Sequence, residues 1–268
     1  MRFIGIIPAR YASTRFPAKP LAMLGGMTVI ERVYRQVEGT MDAVCVATDD
    51  ERIEQAVKAF GGHVVMTNTA HRSGTDRCWE AYTKVQSTKD NVQGTKDNVQ
   101  SDEDEDTVVV NIQGDEPFIQ PVQLDAVKAC FDDPATDIAT LVKPFTQADG
   151  WAAVENPNSP KVVVGQNMEA LYFSRSVIPY IRGKERGEEW MRQHTFYKHI
   201  GLYAYRANVL REITQLPQSP LELAESLEQL RWLQNGYHIR VGITDIETIG
   251  IDTPEDLERA EAFLSQNA

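Results

Sequence analysis

The sequence predicts an α/β fold, a doubly wound and mostly parallel sheet in a single domain spanning 1–268 with a small accessory lobe. Three observations predict it. Short β-branched runs alternate with amphipathic helical patterns along most of the chain. The runs are continuously apolar, as strands covered on both faces must be. The alternation lapses once, between about 165 and 205, which places the accessory lobe there.

In order, strands are expected at FIGII (3–7), AVCVAT (43–48), HVVM (63–66), TVVVNI (107–112), IATLV (138–142), KVVV (161–164), IGLYAY (200–205) and IRVGI (239–243). Helical patterns separate several of them, at TVIERVYRQVEG (28–39), DERIEQAVKAFGG (50–62) and PVQLDAVKACF (121–131). Near the C-terminus, Thr253, Pro254 and Asp256 make a helix start: a cap, a proline at the first helical position and an acid in the first turn.

One segment stands apart. Residues 87–106 read STKDNVQ-GTKDNVQ-SDEDED, a doubled heptad followed by five consecutive acids, Asp102 to Asp106. It has almost no apolar side chain to bury, and two copies are too few for a solenoid. A hydrophilic loop insertion is expected over 87–106.

The formal charge of −12 argues against nonspecific nucleic-acid binding, which needs a basic face. No apolar run approaches the roughly 20 residues of a membrane span, and FIGII is too short for a signal-peptide core. Cys45, Cys78 and Cys130 are odd in number and lack metal-ligand spacing, so a reducing cytoplasm is the expected compartment.

Against that acidity, the first thirty residues hold no Asp or Glu at all. The strand at 3–7 runs into a loop carrying Arg10, Ser13, Arg15 and Lys19. Ligands of open α/β sheets bind beyond the carboxyl ends of the strands, so this loop lies where a ligand should. Three cations suit several anionic oxygens, such as a nucleoside triphosphate, although a solvated surface loop would also carry such residues. Neither a dinucleotide glycine fingerprint nor a P-loop is present.

A second hydrophobic strand ends in Gln113-Gly114-Asp115-Glu116-Pro117. Gly114 permits close backbone approach. Asp115 is either a Mg²⁺ ligand beside phosphates or part of an ordinary turn. Asp252 lies just outside the Thr253 cap, so the cap does not account for it. It either sits in the helix dipole or serves as a second metal ligand.

These stretches resemble the 3-deoxy-manno-octulosonate cytidylyltransferases, or CMP-Kdo synthetases. The resemblance covers nearly the whole chain: PARYASTRFPAKPL, ATDDERI, HRSGTDR (71–77), NIQGDEP, ALYFSRSVIPY (170–180), KHIGLYAYR (198–206), SPLELAESLEQLR (219–231) and GIDTPEDL (250–257). The insertion is longer than the family usually has at that place.

The resemblance implies a nucleotide-diphospho-sugar transferase-like fold, paired as a homodimer through the 165–205 lobe. It implies a reaction in which CTP and Kdo give CMP-Kdo and pyrophosphate for lipopolysaccharide biosynthesis, with Mg²⁺ as cofactor. Arg10, Lys19, Asp115 and Asp252 would be catalytic, with Asp115 and Asp252 holding the metal. Arg10, Ser13, Lys19, Ser73, Gln113 and Asp115 would bind nucleotide. The sugar acid would meet Arg15, Gln113, Arg175, His199, Tyr203, Glu222, Glu225 and Gln229. Structural roles stand beside several of these: His199 and Tyr203 share a strand face, and Glu222 follows Ser219 at capping-box spacing. A synthetase for another sugar acid, and a catalytically silent sensor of the same fold, are the competing readings.

Overall fold

The apolar run at the N-terminus forms β1 (Arg2–Ala9) in a computed structural model that describes residues 1–12, 15–93, 106–247 and 249–266. A small hairpin follows, β2 (Met23–Leu24) with β3 (Met27–Thr28), then α1 (Val29–Val37), β4 (Ala43–Thr48), α2 (Glu51–Ala59), β5 (Val64–Met66), α3 (Gly74–Gln93), β6 (Thr107–Asn111) and α4 (Pro121–Ala129). The next stretch contains β7 (Ile138–Pro144), α5 (Gly150–Glu155), β8 (Lys161–Val164), β9 (Ala170–Ser174), α6 (Glu188–Gln193) and β10 (Tyr197–Arg206). The chain continues through α7 (Ala207–Ile213), α8 (Pro220–Glu225), α9 (Gln229–Gln234), β11 (Ile239–Ile243) and α10 (Pro254–Gln266).

These elements gather into two units. Unit 1 comprises Met1–Leu124, Tyr205–Thr214 and Thr248–Ala268; unit 2 comprises Asp125–Ala204 and Gln215–Glu247. Unit 2 therefore reaches well beyond the 165–205 excursion expected for an accessory lobe.

In unit 1, β6, β1, β4 and β5 lie side by side in that order, all parallel. Ile4, Ile6, Ile7, Val46, Val108 and Val110 are buried within this sheet, as continuous apolar strands between helical layers require. α1 lays Val29, Ile30, Val33 and Val37 against it, and Thr28 caps that helix by accepting from the Glu31 N–H. Leu24, Val29, Ile251 and Ala260 form a further buried cluster, against which Phe16 and Ala22 pack.

In unit 2, β11 pairs parallel with β7, while β8 is antiparallel to both β9 and β10. Trp190, Val154 and Phe196 form a local core, with Trp151 edge-on to Trp190. The α/β class holds, and parallel pairing dominates outside the 165–205 stretch.

One boundary is corrected. The loop insertion was expected from residue 87, but α3 continues to Gln93, so the first heptad copy is helical. A hydrophilic composition does not by itself mark where a helix stops. The second copy and the acid run, at 94–105, lie outside the described residues.

Candidate active site

β1 delivers the chain to the cationic loop at its carboxyl end. Tyr11 fixes the start: the Arg52 guanidinium lies 3.2 Å from its ring centroid, and Asp50 holds Arg52 with bonds of 2.9 and 2.6 Å. Asp50 also caps α2. The Ala18 N–H donates to the Tyr11 carbonyl at 3.0 Å and closes the loop. Ala18 itself takes a left-handed conformation, φ 58°, which turns the chain so that Lys19 starts a 3₁₀ turn over Lys19–Leu21. Ser13 lies outside the described residues.

The turn after β6 comes against the same strand end. A Cβ on Gly114 would stand 2.7 Å from the Pro8 carbonyl oxygen, so only glycine lets the two backbones meet there. Gly114→Ala is expected to lower Tm by several degrees and kcat by about tenfold, because a backbone carbonyl cannot move aside as a side chain would. Thermal unfolding and steady-state turnover of that variant check it.

A third segment is tied to this turn by the Ile251 N–H, which donates to the Asp115 carbonyl at 2.9 Å. α10 then starts as expected. Thr253 Oγ1 accepts from the Asp256 N–H at 3.3 Å, and Asp256 Oδ2 accepts from the N–H groups of Asp252 and Thr253, each at 2.9 Å. Burial works against ionising Asp256, yet those N–H groups and Arg259 hold its carboxyl below the usual range. The cap is complete without the Asp252 side chain.

That side chain goes to a cation instead. Lys19 Nζ lies 2.6 Å from Asp115 Oδ2 and 3.2 Å from Asp252 Oδ1, so one ammonium joins two carboxylates from distant segments. Arg15 Nη1 reaches Asp252 Oδ2 at 3.1 Å. Lys19 is sunk in the cluster with 14% of its side chain exposed, whereas Arg15 is 66% exposed and lies on the rim. Gln113 stands in the Asp115 turn, its carbonyl accepting from the Glu116 N–H.

Arg10 points to a neighbouring loop, Nη2 donating to the His71 carbonyl at 2.5 Å. In that loop Ser73 Oγ accepts from the Asp76 N–H at 3.1 Å, capping α3. Buried Arg77 ties the helix to the sheet through Asp49 at 2.8 Å and Thr67. Glu80 takes Lys84, His71 and the Asn68 N–H; burial opposes its ionisation, but these donors bring its pKa down to about 2. Such a depressed carboxyl stabilises the fold fully above its unfolded value near 4.5 and loses that contribution as pH falls towards 2. The Tm deficit of Glu80→Gln relative to parent should therefore be larger at pH 7 than at pH 3, which paired melting curves test.

Arg10, Arg15, Lys19, Ser73, Gln113, Asp115 and Asp252 thus all belong to unit 1, and four of them, Arg15, Lys19, Asp115 and Asp252, form one contact network. The remaining expected residues belong to unit 2. There Arg175 donates to three backbone carbonyls, of Glu225, Pro157 and Ser226, at 2.6, 3.0 and 3.2 Å. Glu225 accepts from Ser174 Oγ at 2.6 Å and from the Arg175 N–H at 2.9 Å. Beneath them Lys161, fully buried, donates to the carbonyls of Asn156 and Arg175. Burial pulls its pKa down to about 8, with Glu225 opposing and Arg175 assisting.

Glu222 makes the capping box with Ser219 and receives Arg231 through Nε at 2.8 Å and Nη2 at 2.6 Å. His199 and Tyr203 do share a face of β10, their rings 5.2 Å apart, and His199 Nε2 meets Thr140 Oγ1 at 3.0 Å. Burial pushes the imidazole down to about 4, so it is neutral at pH 7. Gln229 is buried, and its Nε2 has no hydrogen-bond partner among the described residues. Asp49, His71, Arg77 and Glu80 were not singled out from sequence. HRSGTDR contains two of them, but nothing in a sequence pattern names their partners.

The comparisons with known proteins agree with this architecture. The family described as Cytidylyltransferase matches residues 4–249. A 3-deoxy-manno-octulosonate cytidylyltransferase of Phocaeicola vulgatus is 70% identical over 99% of this chain and 98% of its own length. One of Bacteroides thetaiotaomicron is 66% identical over 100% of both chains. Among solved structures, a CMP:2-keto-3-deoxy-manno-octonic acid synthetase complexed with CTP is 39% identical, covers 100% of both chains and superposes with a TM-score of 0.84. A cytidylyltransferase from Leptospira borgpetersenii, at 15% identity and a TM-score of 0.55, shares the fold alone. On the strength of identity along its full length, the chain belongs to the 3-deoxy-manno-octulosonate cytidylyltransferase family.

Proposed function

We infer that this chain joins CTP and 3-deoxy-D-manno-octulosonate, giving CMP-Kdo and pyrophosphate. The single observation that carries the reading is full-length identity of up to 70% to cytidylyltransferases named for that sugar acid. The anomeric 2-hydroxyl of Kdo attacks the α-phosphorus of CTP. The new O–P bond forms as the bond to the β-phosphate bridge breaks, the hydroxyl proton is lost, and pyrophosphate leaves. Negative charge grows on that leaving group. Cations held beside it lower the barrier most where water is excluded, and the part-buried Lys19 ammonium suits that role, with Arg10 binding outer oxygens.

Asp115 and Asp252 fit a hard divalent cation. Both carboxylates already converge on one positive centre, Lys19 Nζ, at 2.6 and 3.2 Å, and Mg²⁺ is bound by one or two carboxylates together with substrate phosphates. When bound there, Mg²⁺ would neutralise phosphate charge.

Sugar-acid roles for Arg15, Gln113, Arg175, His199, Tyr203, Glu222, Glu225 and Gln229 rest on resemblance. The buried Gln229 Nε2, which has no partner among the described residues, supports one of them, since a substrate hydroxyl would satisfy it. Arg175 and Glu222 act at least as scaffold, given their internal partners. A homodimer is supported by Leu171 and Tyr180, large apolar side chains left exposed within 165–205. Three unbridged cysteines fit a reducing compartment, and no described helix is long and apolar enough to cross a membrane.

Pyrophosphate release from CTP and Mg²⁺, measured with Kdo, a sialic acid and no acceptor, tests the reaction. Release with Kdo alone is the expected result. Equal release with the sialic acid would move the chain to the wider class of CMP-sugar-acid synthetases.

A further inference from the structure

An exposed arginine at the end of a strand samples many rotamers, and ordering it costs conformational entropy. Arg10 is such a residue by position, yet its guanidinium is docked on one acceptor, the His71 carbonyl. That carbonyl belongs to the loop between β5 and α3, which has no regular hydrogen-bond ladder of its own. Its position depends on side chains.

Glu80, on α3, supplies them. Its Oε2 accepts from the Asn68 N–H at 2.8 Å and also meets His71 Nε2, so one carboxylate fastens the loop at two points three residues apart. An ionised carboxylate only accepts, so His71 presents its Nε2–H there. Glu80 Oε1 takes Lys84 at 2.7 Å, and Lys84 in turn donates to the Met66 carbonyl at the end of β5. Asn68 Oδ1 accepts from the Ala70 N–H, which tightens the turn between the two fastened points. The helix bearing Glu80 is itself locked by Arg77 on Asp49 and Thr67. A continuous line of contacts therefore runs from the sheet through α3, Glu80, and the ring and carbonyl of His71 to Arg10.

We propose that Glu80 is a positioning residue for CTP, acting through His71 to hold Arg10 in the orientation that binds the triphosphate. The proposal rests on the reading of Arg10 as a triphosphate ligand. It makes no use of Glu80 touching substrate. Glutamine at position 80 keeps the size and one acceptor but removes the charge that grips both His71 and Lys84, so the loop loosens and Arg10 loses its dock.

The test is a double-mutant cycle on the full chain, with CTP and Kdo each varied at saturating concentrations of the other. Glu80→Gln should raise the KM for CTP about fivefold and leave that for Kdo within about twofold, whereas in the Arg10→Ala background it should change the CTP KM by less than about twofold. His71→Ala, which keeps the carbonyl but loses the ring contact, should behave like Glu80→Gln and serves if the latter fails to fold. An equal effect of Glu80→Gln with and without Arg10 would reduce Glu80 to general scaffold and overturn the proposal. So would an unchanged CTP KM in Glu80→Gln when Arg10→Ala raises it. If Arg10→Ala itself leaves CTP kinetics untouched, the triphosphate reading of Arg10 falls, and the proposal with it.

Discussion

Asp115→Asn and Asp252→Asn should each lower kcat by at least ~10²-fold, since losing one ligand of a catalytic cation removes several kcal/mol of transition-state stabilisation. The fold should survive both. Asparagine keeps an acceptor oxygen for Lys19, the Asp115 backbone still takes the Ile251 N–H, and the α10 cap is made by Thr253 and Asp256 rather than Asp252. Turnover at saturating Mg²⁺, alongside a far-UV spectrum and Tm, separates these effects. Near-parental turnover of Asp252→Asn would leave Asp252 as nothing more than an acid at a helix terminus.

Lys19→Ala should damage turnover by a similar factor while leaving the KM for Kdo nearly unchanged. An ammonium has three donors; two already go to Asp115 and Asp252, and one remains for a phosphate oxygen. A charge aimed at the leaving pyrophosphate matters more in the transition state than in the ground state, so its loss appears in kcat. A variant whose only defect is a raised Kdo KM would place Lys19 at the sugar instead. Because Lys19 also neutralises two carboxylates, Lys19→Ala leaves like charges together, and its Tm should fall further than that of Arg15→Ala on the exposed rim.

How much of this was readable from residues alone differs by kind of feature. AVCVAT, KVVV and IRVGI became strands with the very bounds expected, because a continuous β-branched run states both its structure and its burial. β10 was expected from Ile200 and begins at Tyr197; Lys198 and His199 are polar enough to hide that extension. β9 and the six-residue helices α5, α6 and α9 were not named, and α8 was signalled only by its Ser219–Glu222 capping box, since so short a segment shows no full period and tertiary packing decides it. Lys19, Asp115 and Asp252 were legible as a group because each sits in a distinctive motif at a strand or helix end. The bonds of Glu225 to Ser174, of Arg77 to Asp49 and of Glu80 to His71 were not, since a sequence gives residue types and leaves their partners to the fold.

The Lys19–Asp115–Asp252 clasp also joins lengths of chain that are made far apart in time. Its members are separated by 96 and 233 positions, and unit 1 is assembled from three separate lengths of chain. Translation emits them in order, at a pace of about 5–20 residues per second. A nascent chain that has reached residue 247 holds Lys19 and Asp115 but neither Asp252 nor Ile251 and Ala260, which complete the cluster around Leu24 and Val29. Such a chain can pair β1 with β4 and β6, yet its ammonium has only one of its two carboxylates, and Leu24 and Val29 lack two of the side chains that cluster with them. The two carboxylates and the apolar cluster behind them are therefore completed together, by the one segment that carries Ile251, Asp252 and Ala260.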